Sequence, residues 1–80
     1  MATVTVRYFA AFREQAGHDQ ELIDTDHATA GDLFLELAQR HGFLDPTSRC
    51  KVAINDELTS WDAALKEGDQ VLFFPPVAGG

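Results

Sequence analysis

The sequence predicts an α+β roll: a mixed sheet of about four to five strands packed on one main helix, followed by an extended C-terminal tail. Three observations predict it. Strand-like and helix-like segments run in the order strand, strand, helix, strand, strand, with a short helix between the first two strands. The stretch from Thr29 to Gly42 carries one apolar face at helical period. The last strand, "QVLFF", is apolar on both faces.

Each element has its own signal. "TVTVRYF" (Thr3 to Phe9) alternates Val4, Val6 and Tyr8 against Thr3, Thr5 and Arg7, the period of a half-buried strand. "AAFREQAG" joins good helix formers to Gly17, a natural helix stop. "QELIDTD" (Gln20 to Asp26) reads as a short strand around Leu22 and Ile23, with acidic residues suited to an exposed edge. Thr29 caps the main helix, with Asp32 three residues on as a weak capping box. Leu33, Phe34, Leu37 and Ala38 form its apolar face, and Gly42 ends it.

"FLDPTSR" reads as a loop and "CKVAIN" (Cys50 to Asn55) as the third strand. Asn55-Asp56 is turn chemistry leading into "ELT". Ser60 is expected to cap a single turn over "WDAALKEG" that ends at Gly68. Because one helix covers only one face of the final strand, the other face is either a docking surface or is covered by the short helix and loops.

Composition narrows function. Eighty residues make one domain near the small end of what folds alone, which favours a binding module or carrier over an independent enzyme. Thirteen acidic against six basic residues give a net charge of -7, which repels phosphate backbones and suits a basic protein partner. An anionic small substrate is then expected to be held by that partner. A single cysteine, Cys50, forms no internal disulfide. With neither a leader-like opening nor a membrane-spanning run, the expected location is cytoplasmic.

The tail is the candidate working part. Pro75 and Pro76 end the strand, force an extended exit and limit the conformations lost on docking. Pro75 to Gly80 reaches at most roughly 20 Å. Val77 is a candidate anchor, and Ala78, Gly79 and Gly80 narrow to bare backbone, a shape that suits a thread in a tight tunnel. A carboxylate at Gly80 is a poor electrophile until activated, for example as an acyl-adenylate. A persulfide would then leave a thiocarboxylate, and an amine an amide.

"VRYFAAFREQAG", "VAINDELTSWDAALKEGDQVLFFPPVAGG" and the amphipathic helix between them resemble the small subunits of molybdopterin synthase, ubiquitin-like sulfur carriers with the β-grasp fold. The resemblance implies a β-grasp domain over residues 1–74 and a flexible diglycine tail over 75–80. It implies that Gly80, beside Gly79, is adenylated by a ubiquitin-activating-type enzyme that uses ATP, and is converted to a thiocarboxylate with the help of a sulfur-transfer protein. The tail then enters the large synthase subunit and gives sulfur to cyclic pyranopterin monophosphate. Phe9, Arg13, Leu58 and Phe74 match positions that contact the activating enzyme and the large subunit, and Pro75, Pro76, Val77 and Ala78 match the inserted tail. No cofactor or metal is expected on this chain; ATP, zinc and magnesium belong to the activating enzyme. Neither nucleic acid nor membrane is an expected partner.

Other residues read as structural. Cys50 is expected to be a buried thiol, His18, His27 and His41 surface residues without ligand spacing, and Arg13 with Glu14 a solvated helix face. Phe73 and Phe74 are expected to divide, one to the core and one to a partner, and the resemblance implies that Phe74 is the outward one; Trp61 has no assigned role. The alternatives to a molybdopterin synthase carrier are a carrier for another pathway such as thiamine, a ubiquitin-like modifier joined to lysines through Gly80, and an interaction module with an inert tail.

Overall fold

A computed structural model of the chain describes residues 2–76. The alternation of Val4, Val6 and Tyr8 forms β1 (Ala2–Tyr8), with those three side chains buried. The chain turns at Ala10, whose φ of 52° lies in the left-handed region, into the short helix α1 (Ala10–Ala16). It returns as β2 (Gln20–Thr25), antiparallel to β1.

The main helix α2 (Ala30–His41) begins where Thr29 Oγ1 accepts a hydrogen bond from the Asp32 N–H at 3.2 Å, the N-cap half of the expected box. Gly42 ends it at a φ of 76°, its N–H bonded to the Ala38 carbonyl. β3 (Lys51–Ile54) and β4 (Glu57–Thr59) form a hairpin. Its loop residues Asn55 and Asp56 take φ of 53° and 72°, the left-handed pair that a two-residue hairpin demands. β5 (Gln70–Phe74) closes the chain's regular structure.

The sheet order is β2-β1-β5-β3-β4, with β1 and β5 parallel and the other pairs antiparallel. α2 carries the chain from the first pair of strands to the second and leaves a central slot that β5 fills. The sheet therefore has five strands, with β2 on one edge as its acidic residues suggest. This mixed sheet on one main helix is the β-grasp arrangement.

Val4, Val6, Val52, Val71 and Phe73 face Leu33, Phe34 and Leu37 of α2, all buried. Each such large apolar side chain contributes about 1.5–3 kcal/mol on burial. Phe12 stacks on Phe43 at 4.4 Å between ring centroids and completes one end of the core. At the other, Trp61 lies parallel to Phe73 at 5.9 Å and tilted against Phe34 at 5.1 Å.

Three expectations change. The segment after Ser60 is not helical. The Ala63 N–H bonds the Ser60 backbone carbonyl, Ala64 bridges to Thr29, and two tight turns bring the chain to Gly68. Trp61 fixes this path, because its carbonyl accepts from the Gly31 N–H at 2.8 Å. The expected loop from Phe43 to Arg49 contains one 3₁₀ turn, Thr47–Arg49, and Phe43 itself is core.

Thirdly, His41 is not a surface residue. Its side chain is 12% exposed, and Nε2 lies 2.8 Å from Glu21 Oε2, which also accepts a hydrogen bond from the Tyr8 hydroxyl. Burial, then the Glu21 bond and charge, push the Tyr8 phenol well above its ordinary value. Burial raises the Glu21 carboxyl, but the bonds from Tyr8 and His41 outweigh it and leave the group below its ordinary value.

Candidate functional site: an aromatic strip at the root of the tail

The sheet's second face follows from strand alternation. Val71 and Phe73 point to the helix, so Leu72 and Phe74 point away. Register then places Arg7 and Ala53 on either side of Leu72, Lys51 beside Phe74, and Leu58 beyond Ala53. Leu72 is only 8% exposed, whereas Leu58 is 71% exposed. Of the final strand's outward side chains, Leu72 is buried and Phe74 is half-buried.

Parallel pairing of β1 with β5 sets Tyr8 level with Phe73, so the next residues, Phe9 and Phe74, emerge side by side. Their rings stack at 4.8 Å between centroids, and the Arg7 guanidinium lies 5.9 Å from the Phe9 centroid. On the other flank, Lys51, Leu58, Phe74 and Pro75 line a shallow apolar trough. Phe74, Pro75 and Pro76 are half-buried.

The structure thus gathers Phe9, Leu58, Phe74 and Pro75 into one strip, with Pro76 directly after it. Arg13 stands apart on the exposed side of α1, its Nε 3.7 Å from Asp19 Oδ1, a solvent-screened pair. Val77, Ala78, Gly79 and Gly80 lie outside the described residues. Sequence reasoning set Leu72 with Phe74 on the last strand's second face but missed Arg7, Lys51 and Ala53 as parts of this surface. Period two supplied a signal for Arg7, two residues before a ring already singled out; Lys51 and Ala53 needed the β3–β5 register.

Cys50 is buried, and burial with the nearby Asp45 charge pushes its thiol up, so it is a structural residue. Among the described residues no group of three or more His, Cys, Asp or Glu side chains is arranged to hold a metal ion. No described helix is long and apolar enough to cross a membrane. What the strip offers is a half-exposed apolar platform from which an extended chain departs.

Comparison with known proteins agrees with this geometry. The molybdopterin synthase sulfur carrier subunit of Haemophilus influenzae is 38% identical over 80 residues, covering 96% of this chain and 99% of that protein. The crystal structure of small archaeal modifier protein 1 from Haloferax volcanii superposes with a TM-score of 0.81 at 29% identity, covering 96% of this chain and all of that one, 100%. A chain in the complex of subunits 1 and 2 of the molybdopterin-converting factor from Helicobacter pylori superposes with a TM-score of 0.66 at 28% identity, covering 98% and 99%. The ThiS family matches residues 6–80. A chain with this sheet order, this tail root and these relatives belongs to the ThiS family.

Proposed function

We propose that this chain is the sulfur carrier subunit of a molybdopterin synthase. The observation that carries the reading is the junction between fold and tail. The central strand β5 surfaces at Phe74 in an exposed apolar strip and passes directly into Pro75 and Pro76, four residues short of Gly80. A partner that grips the strip thereby fixes the origin of the tail and the direction in which it enters.

In this reading the Gly80 carboxylate attacks the α-phosphorus of ATP on a ubiquitin-activating-type enzyme, and pyrophosphate leaves. The persulfide of a sulfur-transfer protein attacks the acyl carbon and displaces AMP. A thiol then cleaves the resulting S–S bond, leaving the thiocarboxylate on Gly80 and a disulfide on the donor side. With Val77 as anchor and Ala78 and Gly79 as the narrow lead, the tail enters the large synthase subunit and delivers sulfur to cyclic pyranopterin monophosphate. This chain is the sulfur donor, the nucleotide is bound by the activating enzyme, and the work is cytoplasmic.

The test is mass spectrometry of the C-terminal peptide from protein isolated from its native host and treated with a thiol-alkylating reagent. An alkylated sulfur on Gly80 is the expected result. A carboxylate that stays unmodified with ATP, a sulfur source and the cognate activating enzyme would overturn the reading.

The likeness to small archaeal modifier protein 1 favours a second reading, conjugation of Gly80 to lysines of other proteins. Gly80 found in isopeptide linkage to many proteins, without a thiocarboxylate, would select it. Deleting Gly80 abolishes both activities while leaving attachment at the strip intact.

A further inference from the structure

The strip has a charge pattern opposite to that of the whole chain. Of the six basic residues, Arg13 and Arg40 are paired with Asp19 and Glu36. Arg7 and Lys51 make no ion pair among the described residues and are exposed. Both lie on the outer face of the sheet, on opposite sides of β5. Arg7 reaches over Phe9, and Lys51 pairs in register with Phe74 and lines the trough with Leu58 and Pro75. Two unneutralised cations thus bracket the apolar strip of a chain whose net charge is -7.

We infer that the partner seated on this strip presents an apolar hollow for Phe9, Phe74 and Leu58, flanked by two carboxylate positions that receive Arg7 and Lys51. This rests on the carrier reading and specifies what the large subunit places opposite the tail root. The general acidity of the chain draws in a basic partner from a distance. At contact the sign reverses locally. A basic protein docked in any other orientation would meet Arg7 and Lys51 with its own cations, so the two residues set orientation and select among basic partners. The Arg7 guanidinium suits a carboxylate especially well, since it can keep its aromatic contact while its edge donates to both oxygens. A nucleic acid would also meet two cations and an aromatic face, but the thirteen acidic residues oppose it.

The experiment is calorimetric titration of the full chain into the large subunit from the same organism, at low salt and at about 0.5 M salt, where exposed charges beyond contact are screened. The variants are Arg7→Glu, Lys51→Glu, Lys51→Gln and, as a control for net charge, Arg49→Glu on the exposed 3₁₀ turn. All three sites are exposed, and far-ultraviolet circular dichroism checks that each variant is folded. Expected is a loss of roughly tenfold or more in affinity for Arg7→Glu and Lys51→Glu that persists at high salt, with a smaller loss for Lys51→Gln. Arg49→Glu changes net charge as much as Lys51→Glu, yet its effect is smaller and vanishes with salt.

Equal, fully screened losses for the three reversals would overturn the inference and leave the carrier reading standing. Tighter binding by Lys51→Gln, the result if Lys51 held this chain's own terminal carboxylate, would also overturn it. No binding by the unaltered chain would overturn the carrier reading itself, and this inference with it.

Discussion

Phe9 lies flat on Phe74, with ring centroids 4.8 Å apart and planes 16° from parallel, although sixty-five positions separate them in the chain. Neither ring is fully buried, so the pair is a platform on the surface and not part of the core. Removing one ring should separate recognition from stability. Phe9→Ala is expected to lower stability by only about 1 kcal/mol, the worth of a half-exposed aromatic pair. Binding to the large subunit should weaken by roughly thirtyfold or more, as for an interface anchor. Thermal melts and titration calorimetry give the two numbers; unchanged affinity would remove the strip from the interface.

Gly31 is a helix residue where alanine should do harm. A Cβ there would meet the Trp61 carbonyl oxygen at 3.1 Å, and that carbonyl is held in place by the Gly31 N–H. Alanine gains about 1 kcal/mol in helix propensity, whereas overpacking costs about 1–3. Gly31→Ala is therefore expected to destabilise by about 1 kcal/mol in urea denaturation. A stabilised variant would show that the Trp61 segment yields freely.

Asp69 is a buried carboxylate whose two oxygens accept from Asn55 Nδ2 at 2.9 Å and the Lys66 N–H at 2.8 Å. Asn55 in turn accepts from the Gln70 N–H, so the carboxylate ties the β3–β4 hairpin to the turn that launches β5. Asp69→Ala strands these donors and should cost about 1–3 kcal/mol. Asp69→Asn, able to satisfy the acceptor role on one side only, should fall between. Equal stability of all three chains in chemical denaturation would contradict this account.

Glu21 makes stability depend on acid. Its folded-state carboxyl lies below the ordinary value of 4.5 because Tyr8 and His41 hydrogen-bond its charged form against the opposing effect of burial. A depressed carboxyl contributes stability that is fully present above the unfolded value and is lost as pH falls through the folded one. Unfolding free energy should therefore decline below about pH 4.5, and Glu21→Gln should flatten that decline. Parallel curves for the two proteins would remove Glu21 from the acid response.

Much of this was legible because it is local. Val4, Val6 and Tyr8 announce β1 by alternation, Thr29 and Gly42 bound α2, and Asn55-Asp56 can hardly be anything but a hairpin turn. Alternation separates Phe73 from Phe74, one inward and one outward, but the strand is apolar on both faces, and only the family resemblance put Phe74 outward. Illegible features depend on residues distant in sequence. His41 looked like a surface histidine because Glu21 and Tyr8 come from other elements. Trp61 had no role until Phe34, Phe73 and Gly31 surrounded it, and its indole, not a helical turn, organises the segment after Ser60. Lys51 shows no functional signal of its own; it acquires one only when the β3–β5 register sets it beside Phe74.

The place of β5 in the sheet also has a mechanical meaning. The tail continues a strand that is hydrogen-bonded along both edges, to β1 on one side and β3 on the other. A pull on the tail along the strand loads both ladders in shear, so their bonds resist together and do not open one at a time. An edge strand would peel. If withdrawing a threaded tail from a tunnel requires force, this fold bears it along both ladders of a central strand. Single-molecule pulling through residue 76 against residue 2 would measure the load at which the two ladders give way.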